Sequence, residues 1–224
     1  MVSRTLMGVW AALNFLLLVA GAVTLALSIV WRGPNLLMNM VLSDADLTAG
    51  IILAIAFIIT CITGIVGVIQ RNHITIGLVI TNYALLVDAI GIVIIGTFVW
   101  FFTLKERHNY SVLWDAATPD VRRALQDQLK CCGYFNNTDF AEISTFCKDQ
   151  QFISSLNQTD LNNSCVTPIT DFADMTLNNI FTTVYGYMAI VLCLLLATLC
   201  VIKKRHEDER FNKIDAKRGG KGFV

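Results

Sequence analysis

Charge is what this sequence has least of. Charged residues make up only 15% of its 224 positions, where a soluble domain carries roughly a quarter. The deficit is uneven: long stretches have almost no charge, and the polar residues gather in one central block and a short tail. That distribution excludes an ordinary soluble domain and points to the membrane. The formal net charge is zero, and no basic stripe interleaved with aromatics occurs, so nucleic acid is not an expected partner. Catalytic signatures are missing as well: there is no G-x-S-x-G, H-E-x-x-H, P-loop or G-x-G-x-x-G. The histidines (His73, His108 and His206) are scattered between two sides of the membrane in the topology below and cannot form one site. Four spans and a small loop leave little protein for a catalytic pocket. The expectation is therefore no enzyme, no cofactor and no metal.

What is present is apolar and long. Four stretches, 8–30, 47–69, 74–102 and 184–202, each reach the ~20 residues that cross ~30 Å of hydrocarbon as a helix. Unpaired backbone groups are too costly in lipid for anything but helices there. The third stretch is too long for the bilayer alone, so its end is expected to project into water. The first is too long for a signal peptide and has no A-x-A site after it, so it reads as an uncleaved span.

Two signals orient the chain. Basic residues stay cytoplasmic, and they sit at Arg4, at Arg71 in the short second connection, and in the tail from Lys203, Lys204 and Arg205 onward. Residues 1–7, 70–73 and 203–224 are then inside. The N-x-S/T sequons at Asn109, Asn136, Asn157 and Asn162 all fall between the third and fourth stretches, on the opposite side. That leaves a small outer loop, 31–46, and a large one, 103–183.

The large loop has soluble-domain composition. Lys105-Glu106-Arg107 reads as an extension of the third helix, followed by a stripe of Tyr110, Leu113, Trp114 and Ala117. Thr118-Pro119 reads as an N-cap and first helical position, with Val121, Leu125, Leu129 and Cys132 on one face and Gly133 as the stop. Thr170 can cap a helix through Phe172, Met175 and Ile180 into the fourth span. Residues 134–168 lack periodicity and read as short turns. A loop this small needs staples. Cys131, Cys132, Cys147 and Cys165 form an even set in an oxidising compartment, which reads as two disulfides. Spacing leaves three connectivities, of which a bridge between adjacent Cys131 and Cys132 is the least favourable. No C-x₂₋₄-C pair suggests zinc.

Cys131-Cys132-Gly133 in the large loop of a four-span chain resembles the CCG motif of the tetraspanin family. Asn14-Phe15 with Ala20-Gly21 in the first span, Asp88 in the third where the family usually carries Glu, and Gly64-x-x-Gly67 in the second are similar to family features. The likeness covers nearly the whole chain, and the compact loop is most like small fungal members. It implies an all-α membrane fold with a disulfide-stapled helical loop, Cys131 paired with Cys165, and Cys132 with Cys147. It further implies two stem helices carrying a head, 134–168, that faces partner membrane proteins. Lateral self- or tetraspanin association and contact with membrane lipids, sterols included, belong to the same implication, as does a role in polarised growth or host penetration. There are departures: the Cys of the G-C-x-G segment is absent, Cys165 keeps only Ser164 of P-x-S-C, and the fourth span has no acid or amide. That last absence argues against a polar sterol-accepting pocket.

Three residues outside the loop carry chemistry. Asp88 is the only formal charge deep in a span, where burial costs about 2.5 kcal/mol or more. It is expected to face Asn14 or Asn82 as interior glue; the alternative is a channel or transporter with Asp88 lining a path. Asn14 and the glycines read as packing residues. Cys200, beside Lys203, suits S-palmitoylation better than the deeper Cys61 and Cys193. A polybasic, lipid-attracting reading of Lys203 to Arg205 competes with a plain anchor and a solvated tail. Four-span junction proteins usually place disulfides in the first outer loop or in both, and 31–46 has no cysteine. The apolar residues of the head (Phe135, Phe140, Ile143, Phe146, Phe152, Ile153 and Leu156) exceed what it can bury on its own, although some of them must form the loop's own core; the excess favours a scaffold that binds partner ectodomains.

Overall fold

The computed structural model describes residues 3–70, 75–136, 139–156 and 163–217. Arg71, His73, Asn157 and Asn162 lie outside the described residues. The described chain is helical: α1 (Arg4–Val30), α2 (Leu36–Val41), α3 (Asp44–Ile69), α4 (Ile76–Thr103), α5 (Glu106–Ala116), α6 (Pro119–Leu129), α7 (Gln150–Ser155) and α8 (Val166–Lys217). Among these, α1, α3, α4 and α8 are long and apolar enough to cross a membrane. Two compact units form. One holds residues 1–28, 48–95 and 184–224; the other holds 29–47 and 96–183.

In the span unit, small residues allow close approach, as expected where lipid removes most of the hydrophobic driving force between helices. A Cβ on Gly67 would lie 2.8 Å from the backbone of Gly77, and one on Gly21 would lie 3.1 Å from the Ala54 carbonyl. Leu17, Phe57, Leu78, Leu85, Ile92, Val191 and Leu194 fill the interior. Large apolar side chains such as Phe15, Ile52, Ile80 and Leu196 point outward. A few polar bonds cross between helices. Trp10 Nε1 donates to Thr198 Oγ1 at 3.1 Å, and Thr24 Oγ1 bonds Tyr187 OH at 3.2 Å. Asn14 Nδ2 reaches Cys61 Sγ at 3.1 Å. Asp88 takes a hydrogen bond from Thr60. The sequence pointed to Asn14 or Asn82 as its partner, but the Asn14 amide is turned toward α3 and Cys61.

The tail continues α8 as helix to Lys217, supported by Lys204–Glu207 (3.2 Å) and Glu209–Lys213 (2.8 Å) pairs at helical spacing. Arg205 is buried and donates to the carbonyls of Gly67 at 3.2 Å and Val68 at 2.8 Å. It thereby caps the C-terminal end of α3, where carbonyls lack intrahelical partners and a cation is favoured. With Arg205 turned inward and Lys204 paired, the cluster read as polybasic keeps only Lys203 exposed.

The loop unit corrects four local readings. The third span does not run on as helix: α4 stops at Thr103 and α5 starts at Glu106. Asn109 explains the break, because its Nδ2 donates to the Phe102 carbonyl at 3.1 Å while its own N–H bonds the Lys105 carbonyl. The α5 stripe is Glu106, Tyr110 and Trp114, and Leu113 faces out. Helix α6 ends at Leu129 with Lys130 in the left-handed region (φ 54°), so Gly133 (φ 72°) is the next turn and Cys132 is off the helix. Thr170 is inside α8 rather than at its cap, with Oγ1 donating to the Val166 carbonyl.

Candidate functional site

The large loop carries the chemistry, and its stem is built by burial. Tyr110 and Trp114 of α5, Leu125 of α6, and Ile169, Ala173 and Leu177 of α8 form one core with Leu37 and Val41 of α2. The helix α2, capped by Asn35 on the Met38 N–H, was not legible as an element. The Cys131–Cys165 disulfide closes this core.

The adjacent cysteines diverge. While Cys131 joins the stem, Cys132 bridges to Cys147 and ties down the head. Gly133 makes the divergence possible, since its positive φ is open to glycine at little cost. Three backbone bonds then lace the segment to the start of α8: Cys132 N–H to Asn163 O (3.1 Å), Cys165 N–H to Gly133 O (2.9 Å) and Val166 N–H to Tyr134 O (3.2 Å). Tyr134 is buried against Trp114, with its hydroxyl donating to the Arg107 carbonyl at 2.8 Å.

The head has a small core of its own: Cys132, Cys147 and Ile153, with Phe146, Phe152 and Leu156 packed around them. Ile153 comes from α7, whose N-cap Asp149 accepts from the Phe152 N–H at 2.6 Å. Polar pins from α6 do the rest. Asp127 accepts from the Phe146 N–H at 2.8 Å and the Thr145 N–H at 3.3 Å. A hydrogen bond from Ser144, with those from the two backbone amides, holds its carboxyl below the usual range. Gln126 accepts from the Glu142 N–H and donates to Cys147 Sγ.

Arg122 is the residue that sequence reading missed. It is buried in the first turns of α6 and donates to the carbonyls of Trp114, Asp115 and Ala117 at the end of α5. Its other nitrogen bonds Glu142 Oε1 at 2.9 Å, and its guanidinium lies 5.2 Å from the Phe140 ring centroid. One cation thus caps a helix and holds the segment 140–142. No sequence pattern announces this, because its partners come from two separate segments.

The apolar residues of the head divide. Phe146, Phe152, Ile153 and Leu156 turn inward, while Phe135, Phe140 and Ile143 stay 41%, 51% and 60% exposed. Phe140 also sits at φ 49°, a region a bulky residue occupies at a cost of about 1–2 kcal/mol.

The remaining candidates are spread out. Among the sequons with described asparagines, Asn136 is exposed, whereas Asn109 is within α5 with its Nδ2 engaged. Cys193 and Cys200 are exposed free thiols, and Cys61 is buried. Asn14 and Asp88 lie among the spans. Among the described residues, Asp88 Oδ2 is buried with no hydrogen-bond partner.

With this geometry in view, comparison with known proteins gives one result. The family model described as "Tetraspanin family" matches residues 8–204. No curated protein and no solved structure matches the chain.

Proposed function

The chain belongs to the tetraspanin family, multi-pass membrane proteins that associate with other membrane proteins, and from that premise we propose that it gathers specific partners through residues 134–168. One observation carries the reading. A head too small to spare apolar side chains leaves Phe135, Phe140 and Ile143 outside, and holds Phe140 in a costly backbone conformation beneath a buried arginine. Exposed apolar patches of this kind mark contact sites, and strained backbone collects at functional positions.

The rest of the proposal follows from the charge rule and from exposure. Both termini are cytoplasmic, and 31–46 and 103–183 are outside. Asn136, Asn109, Asn157 and Asn162 are the glycan sites, and of the two whose asparagines are described Asn136 is the better placed, since the amide of Asn109 is engaged in closing α4. The exposed thiol of Cys200 is the acylation candidate. Lateral association with its own kind or with other tetraspanins, and contact with lipids, sterols among them, use the outward apolar faces of the spans. Plasma membrane and endosomal or vacuolar membranes both suit the topology, and polarised growth or host penetration suits a fungal setting. Asp88 and Asn14 are interior glue in this reading, and the chain is a scaffold rather than an enzyme.

The test is affinity purification of the tagged protein in mild detergent, comparing wild type with a swap of 134–168 for an unrelated tetraspanin head. The proposal expects a small set of membrane proteins that disappears on the swap. The same set persisting after the swap would place recognition elsewhere.

A further inference from the structure

The start of α5 gathers more acid than the packing of the stem explains. Glu106 lies in the first turn of α5, and Asp171 and Asp174 lie on α8 in the same compact unit. Among the described residues, Glu106 Oε2 is buried without a hydrogen-bond donor to meet it. The Asp174 carboxyl lies close enough to Glu106 to bond it once one of the two is protonated. Two carboxylates repel; two carboxyls with one proton between them attract. One turn further along α5, the Tyr110 hydroxyl is fully buried with no hydrogen-bond partner among the described residues. Glu106, Asp46 and Asp174 all act on it electrostatically, with Tyr134. The charges acting on Glu106 include Asp174 and Asp171 from α8 and Arg107 from its own helix, the last opposing the first two.

We propose that Glu106 and Asp174 form a proton-operated latch between the start of α5 and α8, closed while they share a proton and released when it leaves. Burial, then the Asp174 bond and charge, raise the Glu106 carboxyl to about 7, so the latch works between an acidic compartment and a neutral surface. When the proton leaves, Glu106 and Asp174 both carry negative charge beside Asp171, with Arg107 to offset them. The first turn of α5 then separates from α8, and Tyr110 below it gains access to water. No metal is invoked, since no group of three or more His, Cys, Asp or Glu side chains is placed to hold one among the described residues.

The experiment uses the full chain in lipid nanodiscs. Hydrogen exchange of the α5 amides is compared, at each pH, with that of Glu106→Gln, which keeps a donor toward Asp174 at every pH. Wild type and variant should exchange alike at pH 5.5. At pH 8 the wild type should exchange several-fold faster, with a midpoint near 7. A ratio that stays flat across this range overturns the latch. Infrared spectroscopy gives an independent reading that does not depend on loosening: a protonated carboxyl band should vanish between pH 6 and 8 in wild type and be missing in Glu106→Gln. A band that persists unchanged in the variant belongs to another acid and overturns the assignment.

Discussion

The stem and the head of the large loop are held by different means. The stem is a hydrophobic core: Tyr110, Trp114, Leu125 and Ile169 are each fully buried among helices. Among the described residues, the head has a core of three buried residues, two of them the cysteines of its own disulfide. What burial does for the stem, covalent linkage and polar pins do for the head. Arg122, Gln126 and Asp127 all project from α6, so the head is fastened to one stem helix rather than folded around its own interior. A head built this way can change its surface residues without disturbing a shared core, provided the pins remain.

The sharpest way to break this contrast is in the stem. Truncating Trp114 to Ala should cost about 3–5 kcal/mol and lower the melting temperature of stem and head together, because the pins hang from the stem. Replacing both Cys132 and Cys147 by Ser removes a 15-residue cross-link, worth roughly 3 kcal/mol by loop entropy. Hydrogen exchange should rise over 139–156 while α5 keeps its protection; equal loss in both would erase the distinction. Arg122→Ala should cost about 2 kcal/mol, from lost bonds to a charged group, and should loosen 140–142 and the end of α5 at once. Proteolysis confined to one of those segments would show that the arginine does not join them.

The smallest effects are in pH, and they have opposite signs. Asp127 is held below its ordinary value, so its contribution is present above about pH 3.8 and is lost as pH falls through the lower folded value. Glu106 is raised from 4.5 to about 7, so its contribution is complete below pH 4.5 and is lost as pH rises through 7. Local protection followed from pH 3 to 8 should therefore fall in the head at the acid end and at the start of α5 at the neutral end. Asp127→Asn should flatten the first change and leave the second.

Much of this architecture was legible because it rests on local pattern. The four apolar runs, the Pro119 helix start and the even cysteine set each follow from a rule that acts within a few residues. The boundaries that went astray were decided by distant partners or by single backbone angles. Lys130 takes the left-handed turn that Gly133 was expected to make, and Asn109 ends α4 from seven residues away. Helices α2 and α7 are six residues each, too short for periodicity to declare them. Nothing in the sequence singles out Arg122; its role exists only once the end of α5 and the segment 140–142 meet. The split of these seven apolar side chains of the head into three outside and four inside was equally hidden, since the sequence marks all seven only as apolar.

The cap on α3 sets an order of events. The carbonyls of Gly67 and Val68 receive their donor from Arg205, 138 and 137 residues later in the chain. A protein made from its N-terminus forward therefore has this span long before it has the group that finishes it. Until the last span has been inserted and its tail has emerged, those two oxygens depend on water. Completion of the second span thus reports that synthesis has reached the C-terminal tail, and a nascent chain stalled before residue 205 would carry an end that biosynthetic quality control could distinguish from the finished one.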